Sequence, residues 1–223
     1  MDYILTRSKR KTVALYVRNG KVEVHAPLAM PECDIDKFVA SKEKWITDRV
    51  ANSRESLKSH EAFALNYGDM VLYRGKQYPI ADRADNRIRF DGERFLVPAN
   101  LAPRQIKSAC VQIYRMHAKH ELINRVHDFA KRMGVASSTI KINGAATRWG
   151  SCSAKKSINF SWRLIMADDD VINYVVVHEL AHLTEMNHSK TFWAIVEDIL
   201  PDYKERQSRL RELQKRLAGE DWE

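Results

Sequence analysis

Residues 178–193 read HELAHLTEMNHSKTFW, and this segment restricts the fold and function of the chain more than any other. On an α-helix, positions i and i+4 lie one turn apart on the same face, so His178 and His182 can direct both imidazoles at one metal ion. Glu179 lies beside His178 and can reach water at that metal without binding the metal itself. This is the pattern of HExxH zinc hydrolases, in which the glutamate acts as the base. An ordinary surface histidine pair is the alternative, and the further histidine at position 188 argues against it.

A catalytic zinc ion needs a third protein ligand and one open position. His188 lies six residues beyond His182, where a continuing helix would rotate it about 240° away from the metal. His188 can bind only if the helix ends first. Asn187 tolerates the left-handed conformation that ends helices, and Ser189 can cap the next helix. The rival ligand is Glu197 on that next helix, but ligand type and proximity favour His188, and we expect one Zn²⁺ per chain.

A second segment, HELINRVH at residues 120–127, begins with the same three residues but does not fit the zinc pattern. Asn124 occupies the position of the second histidine, and asparagine is a poor zinc ligand. His120 and His127 share a helix face with apolar residues. We therefore expect both to be partly buried helix histidines and not metal ligands.

The first 100 residues are predicted to be a β-rich region with one helix, and nothing in them indicates a function. The segment KTVALYVRNGKVEVHAP alternates around Asn19-Gly20, a dipeptide that favours a type I′ hairpin turn. Apolar residues at helical spacing between residues 34 and 57 predict a helix with Asp34 as N-cap. Residues 70–80 and 87–98 predict further strands.

Residues 101–223 are predicted to form the catalytic domain. A long helix stops at Gly134, and three short strands follow between residues 138 and 165. The HExxH helix begins at Asp168 or Asp169, whose carboxylates suit the positive end of a helix. Further helices are predicted at about 189–199 and 202–216, divided by a proline. The pattern as a whole predicts an α+β protein in which a small antiparallel sheet accompanies the HExxH helix.

Composition narrows the partners and the compartment. The net charge of +8 favours acidic partners such as nucleic acid, but the basic residues are spread over the chain and no nucleic-acid recognition motif is present. Cys33, Cys110 and Cys152 are far apart and odd in number, which predicts free thiols in a reducing compartment. No apolar run of about 18 residues and no apolar leader segment occurs, so we expect a cytoplasmic protein without a membrane partner.

The segments TRWGSCSAKKSINFSWRLI and VVVHELAHLTEMNHSKTFW closely resemble the YgjP-like metallopeptidase family, a group of zincins, and residues 7–27 resemble that family's N-terminal hairpin. More distantly, the metal helix is similar to that of the SprT and WLM groups, some of whose members act on DNA-bound proteins. The resemblance implies a zincin-like catalytic domain with His178, His182 and His188 as zinc ligands and Glu179 as the base. Members of the family are also described as metal-dependent pyrophosphatases acting on nucleoside triphosphates such as UTP, so the resemblance leaves the substrate open.

Three functions therefore remain. The first is a zinc peptidase acting on a peptide or protein, and the second is a nucleoside triphosphate pyrophosphatase; activated water can serve both reactions. The third is a non-catalytic, zinc-stabilised module associated with DNA. The intact Glu179 argues against the third function, and the absence of a P-loop or other phosphate cradle favours the peptidase over the pyrophosphatase.

Further residues are candidates for contacts with the substrate. Tyr174 and Arg148 can donate to a developing oxyanion, although a core tyrosine and a surface arginine are the more ordinary interpretations. The segment Trp149, Gly150 and Ser151 is predicted to line the cleft as a strand that pairs with an extended peptide. Gly150 would then allow close backbone approach. The alternative for Trp149 is a place in the core.

Overall fold

The computed structural model describes residues 2–18 and 20–222, and the side chains of all of these except Ser56 and Glu61. The chain divides into two compact units. The N-terminal unit contains residues 2–63 with Ala218–Asp221, and the large unit contains Ala64–Leu217 with Trp222.

The N-terminal unit is a three-stranded sheet with two helices. Its strands are β1 (Ile4–Ser8), β2 (Ala14–Arg18) and β3 (Lys21–Pro27), in the order β1-β3-β2, so that β2 and β1 are the edges. β3 runs parallel to β1 and antiparallel to β2. Alternate residues of β3 are buried because successive side chains of a strand point to opposite faces. They share one core with residues of helices α1 (Glu32–Ser41) and α2 (Glu43–Ala62): Val22, Val24, Ala26, Ile35, Val39 and Ile46.

In this unit the sequence predicts which helices and strands form better than it predicts where they begin and end. The two hairpin strands are confirmed, with Arg18 paired to Lys21, but Asn19 of the predicted turn lies outside the described residues. The single predicted helix is two helices, since the backbone of Lys42 leaves the helical region. The predicted N-cap is also wrong: Pro31 holds that position, and Asp34 lies in the first turn.

The large unit begins with a four-stranded sheet. Its strands are β4 (Met70–Tyr73), β5 (Lys76–Arg83), β6 (Arg89–Phe90) and β7 (Phe95–Pro98), in the order β4-β5-β7-β6. The loop after β4 is tied to a later part of the unit, because the amides of Arg74 and Gly75 donate to the carbonyls of Ile165 and Met166 at 2.9 and 3.0 Å. The compact units therefore divide after Phe63, whereas the sequence predicts a boundary near residue 100.

Helix α3 (Pro103–Met133) is the longest element, at 31 residues. It ends at Gly134, which adopts the left-handed conformation with φ of 65°, as the sequence predicts. Its buried face recurs every three or four residues and includes Tyr114, whose ring packs against Phe95 of β7. Neither α3 nor any other helix in the described parts of the chain is both long and apolar enough to cross a membrane.

A second small sheet follows α3, formed by β8 (Thr139–Asn143), β9 (Gly150–Cys152) and β10 (Ser157–Ser161) in the order β8-β10-β9. The predicted antiparallel pairing is right for β9 and β10 and wrong for β8 and β10, which are parallel. The reason is the path of the chain. It reverses direction once at β9 and again at β10, so β10 returns in the direction of β8. The predicted α+β class is confirmed, and β9 remains an edge strand.

The sheet leads through a short 3₁₀ helix (Trp162–Met166) into α4 (Asp169–Ala181), the helix that carries the HExxH segment. Asp168 caps α4, since its side chain accepts a hydrogen bond from the amide of Val171 at 3.1 Å. Helices α5 (Lys190–Ile199) and α6 (Tyr203–Leu217) follow. Because α3, α5, α6 and β9 all contact α4, its apolar residues are buried on nearly every side. This packing fixes the position of the histidines at its C-terminal end.

Candidate metal-dependent active site

Three histidine side chains converge at the end of α4. One ring nitrogen from each of His178, His182 and His188 lies within 4.8 Å of the others. The Nε2 atoms of His178 and His188 are 3.0 Å apart. Two nitrogens bound to one tetrahedral zinc ion would lie about 3.3 Å apart, given bond lengths of about 2.0–2.1 Å. The donor set and its spacing therefore fit a single metal ion.

His188 reaches this cluster because α4 ends early. The helix stops at Ala181, and the amides of Thr184 and Glu185 both donate to the Ala181 carbonyl in the turn that follows. Ser189 caps α5 by accepting from the Phe192 amide, as the sequence predicts, so His188 lies at the corner. The predicted left-handed conformation of Asn187 is wrong, because the turn of the chain has begun several residues earlier.

The protonation states suit metal binding. Nδ1 of His182 lies 3.1 Å from the carbonyl oxygen of Glu185, which can only accept, so Nδ1 carries the proton and Nε2 keeps its lone pair. Burial, reinforced by the two neighbouring imidazoles, lowers the pKa of His178 to about 3. Burial also lowers the pKa of His182. Both imidazoles are thus neutral near pH 7, as metal ligands must be.

Aromatic residues of α5 hold the three imidazoles in place. The Phe192 ring is fully buried and lies 5.0, 4.6 and 4.7 Å from the rings of His178, His182 and His188. Trp193 stacks on His188 at 5.7 Å. Neither residue is among the site residues predicted from sequence. The available signal was their position shortly after His188, at residues 192 and 193.

Glu179 is buried beside the cluster, with 5% of its surface exposed. Its Oε2 and the Nδ1 of His178 are buried polar atoms without a hydrogen-bond partner in the described structure. Desolvation raises the pKa of Glu179 to about 8. A buried carboxyl oxygen without a hydrogen bond is costly in free energy. Its presence beside the histidines is typical of a functional group that interacts with a substrate or bound ion.

Gly150 makes room for Glu179. A Cβ atom at Gly150 would lie 2.5 Å from Oε1 of Glu179 and 2.7 Å from its Cγ, closer than such atoms can approach. The predicted reason for this glycine was the close approach of a peptide. The structure shows another reason, because the space on the Cβ side of Gly150 is filled by the Glu179 side chain.

Gly150→Ala is therefore expected to displace the Glu179 carboxylate and lower the turnover rate by about 10²-fold, the typical cost of a displacement near 1 Å. Gly150 does not need a left-handed backbone, so the backbone conformation itself is compatible with alanine. The measurement is kcat together with metal content. Ser151→Ala, one residue along the same strand, is the control and should retain activity. Full activity in Gly150→Ala would contradict this packing.

The open edge of β9 adjoins this site. The carbonyl of Trp149 accepts from the Ser161 amide at 2.9 Å, and the amide of Ser153 donates to Ser157 at 3.0 Å. Because hydrogen-bonded and open positions alternate in an antiparallel pair, the N–H and C=O groups of Gly150 and Cys152 point away from β10. The N–H and C=O groups of both residues are therefore available to an additional strand.

The two proposed oxyanion donors differ in their surroundings. Tyr174 is buried, and its hydroxyl accepts a hydrogen bond from Nε2 of Gln207 at 3.1 Å. This geometry favours the core interpretation, although the Tyr174 ring lies 5.8 Å from that of His178. Arg148 is exposed in the loop before β9 and makes no hydrogen bond or ion pair with the described residues. Trp149 is only partly buried, so it is not a core residue.

Other candidate ligands lie apart from the cluster. Glu197 is exposed on α5 and is not in the histidine cluster, because it lies on the helix face away from Phe192. His120 and His127 are exposed on α3, so the prediction that they are partly buried is wrong. Within residues 2–18 and 20–222, the histidine cluster is the one group of three or more His, Cys, Asp or Glu side chains placed to hold a metal ion. The prediction of free thiols is confirmed for all three cysteines.

Three imidazoles beside a buried carboxylate form a site typical of metal-dependent hydrolases. The family model of the YgjP-like metallopeptidase domain matches residues 11–213. The chain belongs to the YgjP-like metallopeptidase family, as its motifs predict. The family is one of metallopeptidases, and membership implies a metal ion.

Individual relatives match over shorter stretches. A UTP pyrophosphatase of Escherichia coli (strain K12) is 29% identical over 80 residues, which are 36% of this chain and 45% of that protein, so the match spans less than half of this curated relative. The metallopeptidase zymogen abylysin of Pyrococcus abyssi overlaps with a TM-score of 0.38 and 23% identity, over 40% of this chain and 90% of that one. The metallopeptidase zymogen jannalysin of Methanocaldococcus jannaschii overlaps with a TM-score of 0.37 and 21% identity, over 42% of this chain and 95% of that one.

Proposed function

We propose that this chain is a zinc-dependent metallopeptidase in which His178, His182 and His188 hold one zinc ion and Glu179 is the general base. The observation that carries the proposal is the convergence of the three imidazoles, within 4.8 Å of one another, beside the buried carboxylate of Glu179 on α4. Membership of a metallopeptidase family supports the same reaction class.

The ligand set suits zinc, because three imidazoles with one open position are a common catalytic arrangement for that metal. When bound, a zinc ion would act as a Lewis acid and lower the pKa of water to about 7. The protein supplies the orientation. The Glu185 carbonyl fixes the tautomer of His182, and Phe192 packs against all three rings.

Glu179 moves the proton in this proposal. Its carboxylate accepts the proton of the attacking water and then delivers it to the departing nitrogen of the cleaved peptide. Burial alone would keep this carboxyl protonated at neutral pH, since it raises the pKa to about 8. A cation held by the adjacent imidazoles would lower the pKa of Glu179 again, because an opposite charge favours the ionised form.

The edge of β9 binds the substrate in an extended conformation. Gly150 and Cys152 each offer an N–H and a C=O group, and a peptide that pairs with them adds a strand to the sheet. Such pairing places a peptide backbone beside Glu179, since Gly150 packs directly against that side chain. A nucleotide has no matching ladder of donors and acceptors, and this supports the peptidase over the pyrophosphatase.

Hydrolysis of a nucleoside triphosphate is the second candidate function. The 29% identity to a UTP pyrophosphatase and the net charge of +8 favour it. That identity covers only 36% of this chain, and family membership covers residues 11–213. The DNA-associated binding module is not favoured, because the family is enzymatic and Glu179 is intact.

The test is a parallel assay of the zinc-loaded protein on an unstructured protein and on UTP. We expect peptide bonds to be cleaved, the activity to be lost on chelation and restored by zinc, and UTP to remain intact. Mass spectrometry of the fragments and release of pyrophosphate are the measurements. Turnover of UTP alone would replace the peptidase with the second function. Zinc-loaded protein that turns over neither substrate would contradict both.

A further inference from the structure

A groove in the N-terminal unit lies between the edge strand β2 and helix α2. Its volume is about 470 Å³. Strand residues 15–18 form one wall, and Trp45, Arg49, Asn52 and Ser53 form the other. We call this feature the β2–α2 groove. It lies wholly within the N-terminal unit, to which the reaction proposed above assigns no role.

The strand wall has an unpaired backbone edge. In the described sheet β2 pairs only with β3, so alternate residues of β2 direct their N–H and C=O groups away from β3 and leave them unpaired in the sheet. An exposed edge is a template for one more strand, and proteins usually block such edges unless they use them. Here residues of α2 line the same groove as residues 15–18 of β2.

The helix wall presents one continuous face. Trp45, Arg49, Asn52 and Ser53 follow the spacing i, i+4, i+7 and i+8 that places residues on the same side of a helix. Trp45 keeps 43% of its surface exposed, which is unusual for so large an apolar side chain. Tyr16 on the strand wall is 37% exposed. Two aromatic rings are thus available for contact at the groove.

Charge at the groove has one sign. The guanidinium of Arg49 lies 5.7 Å from the Trp45 ring centroid, and that of Arg18 lies 5.2 Å from the Tyr16 ring centroid. Neither wall contributes a carboxylate. Arg18 has an ion pair with Glu23 at 3.4 Å, but 62% of its side chain is exposed, and a guanidinium has five donors. Arg49 has no carboxylate partner among the described residues.

We propose that the β2–α2 groove binds an extended, acidic peptide segment of a partner or substrate protein, which adds to β2 as a further strand. The open edge selects a peptide backbone, because only a strand repeats N–H and C=O groups in register with β2. The two arginines select carboxylates on that peptide. The exposed aromatic rings accept its apolar residues. The N-terminal unit would thus recruit proteins independently of the histidine cluster.

The probe is a fluorescently labelled eight-residue peptide of alternating valine and glutamate. It is titrated into the full chain carrying Glu179→Gln, so that the probe is not consumed. We expect Arg49→Glu to weaken binding by about tenfold or more, because it places like charges opposite one another. Lys58→Glu makes the same change of charge at an exposed position of α2 outside the groove and should leave the affinity within about twofold. Fluorescence anisotropy measures both affinities.

Two matched peptides and one localisation experiment complete the test. A peptide with lysine in place of glutamate, and one with alternate amides N-methylated so that it cannot pair, should each bind at least about tenfold more weakly. Amide hydrogen exchange should slow in residues 15–18 when the acidic peptide is bound. Protection confined to residues 150–152, equal affinity for the N-methylated peptide, or no binding at about 1 mM would each overturn the proposal. The proposal would also be overturned if a thymidine oligonucleotide, added instead of the peptide, slowed amide hydrogen exchange in β2. The result does not depend on the reaction at the histidine cluster, so the two proposals can fail separately.

Discussion

Replacing Glu179 with glutamine is expected to lower the hydrolytic rate by about 10²- to 10⁴-fold while the metal content stays unchanged. Glutamine has nearly the same shape as glutamate, so it can occupy the same tight space beside Gly150. It cannot accept the proton of the attacking water. The three imidazoles are untouched, so metal binding and folding should survive. The measurements are kcat on the substrate that the wild-type protein turns over, and zinc per chain by elemental analysis.

The matched comparison is Glu179→Asp, which keeps the carboxylate but withdraws it from the cluster by one methylene. It should recover part of the rate that the glutamine variant loses, because the missing function is proton transfer and not volume. A glutamine variant as active as the wild type on every substrate would show that Glu179 is not the base. Loss of zinc from the glutamine variant would instead assign Glu179 to the metal-binding residues.

The local part of this site could be predicted from sequence, because helical spacing is local. The i, i+4 relation of His178 and His182 requires nothing beyond a helix. The contribution of His188 could be anticipated from the capping residue Ser189, which the structure confirms as an N-cap. The position of the turn that brings His188 back could not be anticipated. The chain turns at residues 182–185 and not through a left-handed Asn187.

Contacts between distant segments could not be predicted. The space that Gly150 leaves for Glu179 depends on the packing of β9 against α4, and a glycine in a strand has several possible reasons. The parallel pairing of β8 and β10 could not be predicted either, because parallel and antiparallel strands show similar alternation of apolar residues. The division after Phe63 also depends on contacts between distant segments, such as the backbone hydrogen bonds from Arg74 and Gly75 to residues some 90 positions later.

His178→Ala and His182→Ala are each expected to abolish stoichiometric zinc binding. Loss of one residue that merely supports a ligand typically costs about 10–100-fold in metal affinity, so loss of a ligand should cost at least about 100-fold. The thermal transition supplies a second measurement. A metal that binds only the folded state stabilises it, so chelation should lower the Tm of the wild type and leave that of either variant unchanged.

The third ligand is tested by His188→Ala against Glu197→Gln. His188→Ala should lose zinc, because its Nε2 lies 3.0 Å from that of His178, whereas Glu197 is exposed and outside the cluster. The exposed His120 and His127 provide further controls, and their alanine variants should keep one zinc per chain. Retained zinc in His188→Ala together with loss in Glu197→Gln would require α5 to rotate towards the cluster. That rotation would pull Phe192 out of its contacts with all three imidazoles, so the packing on this helix is a strong reason to expect histidine as the third ligand.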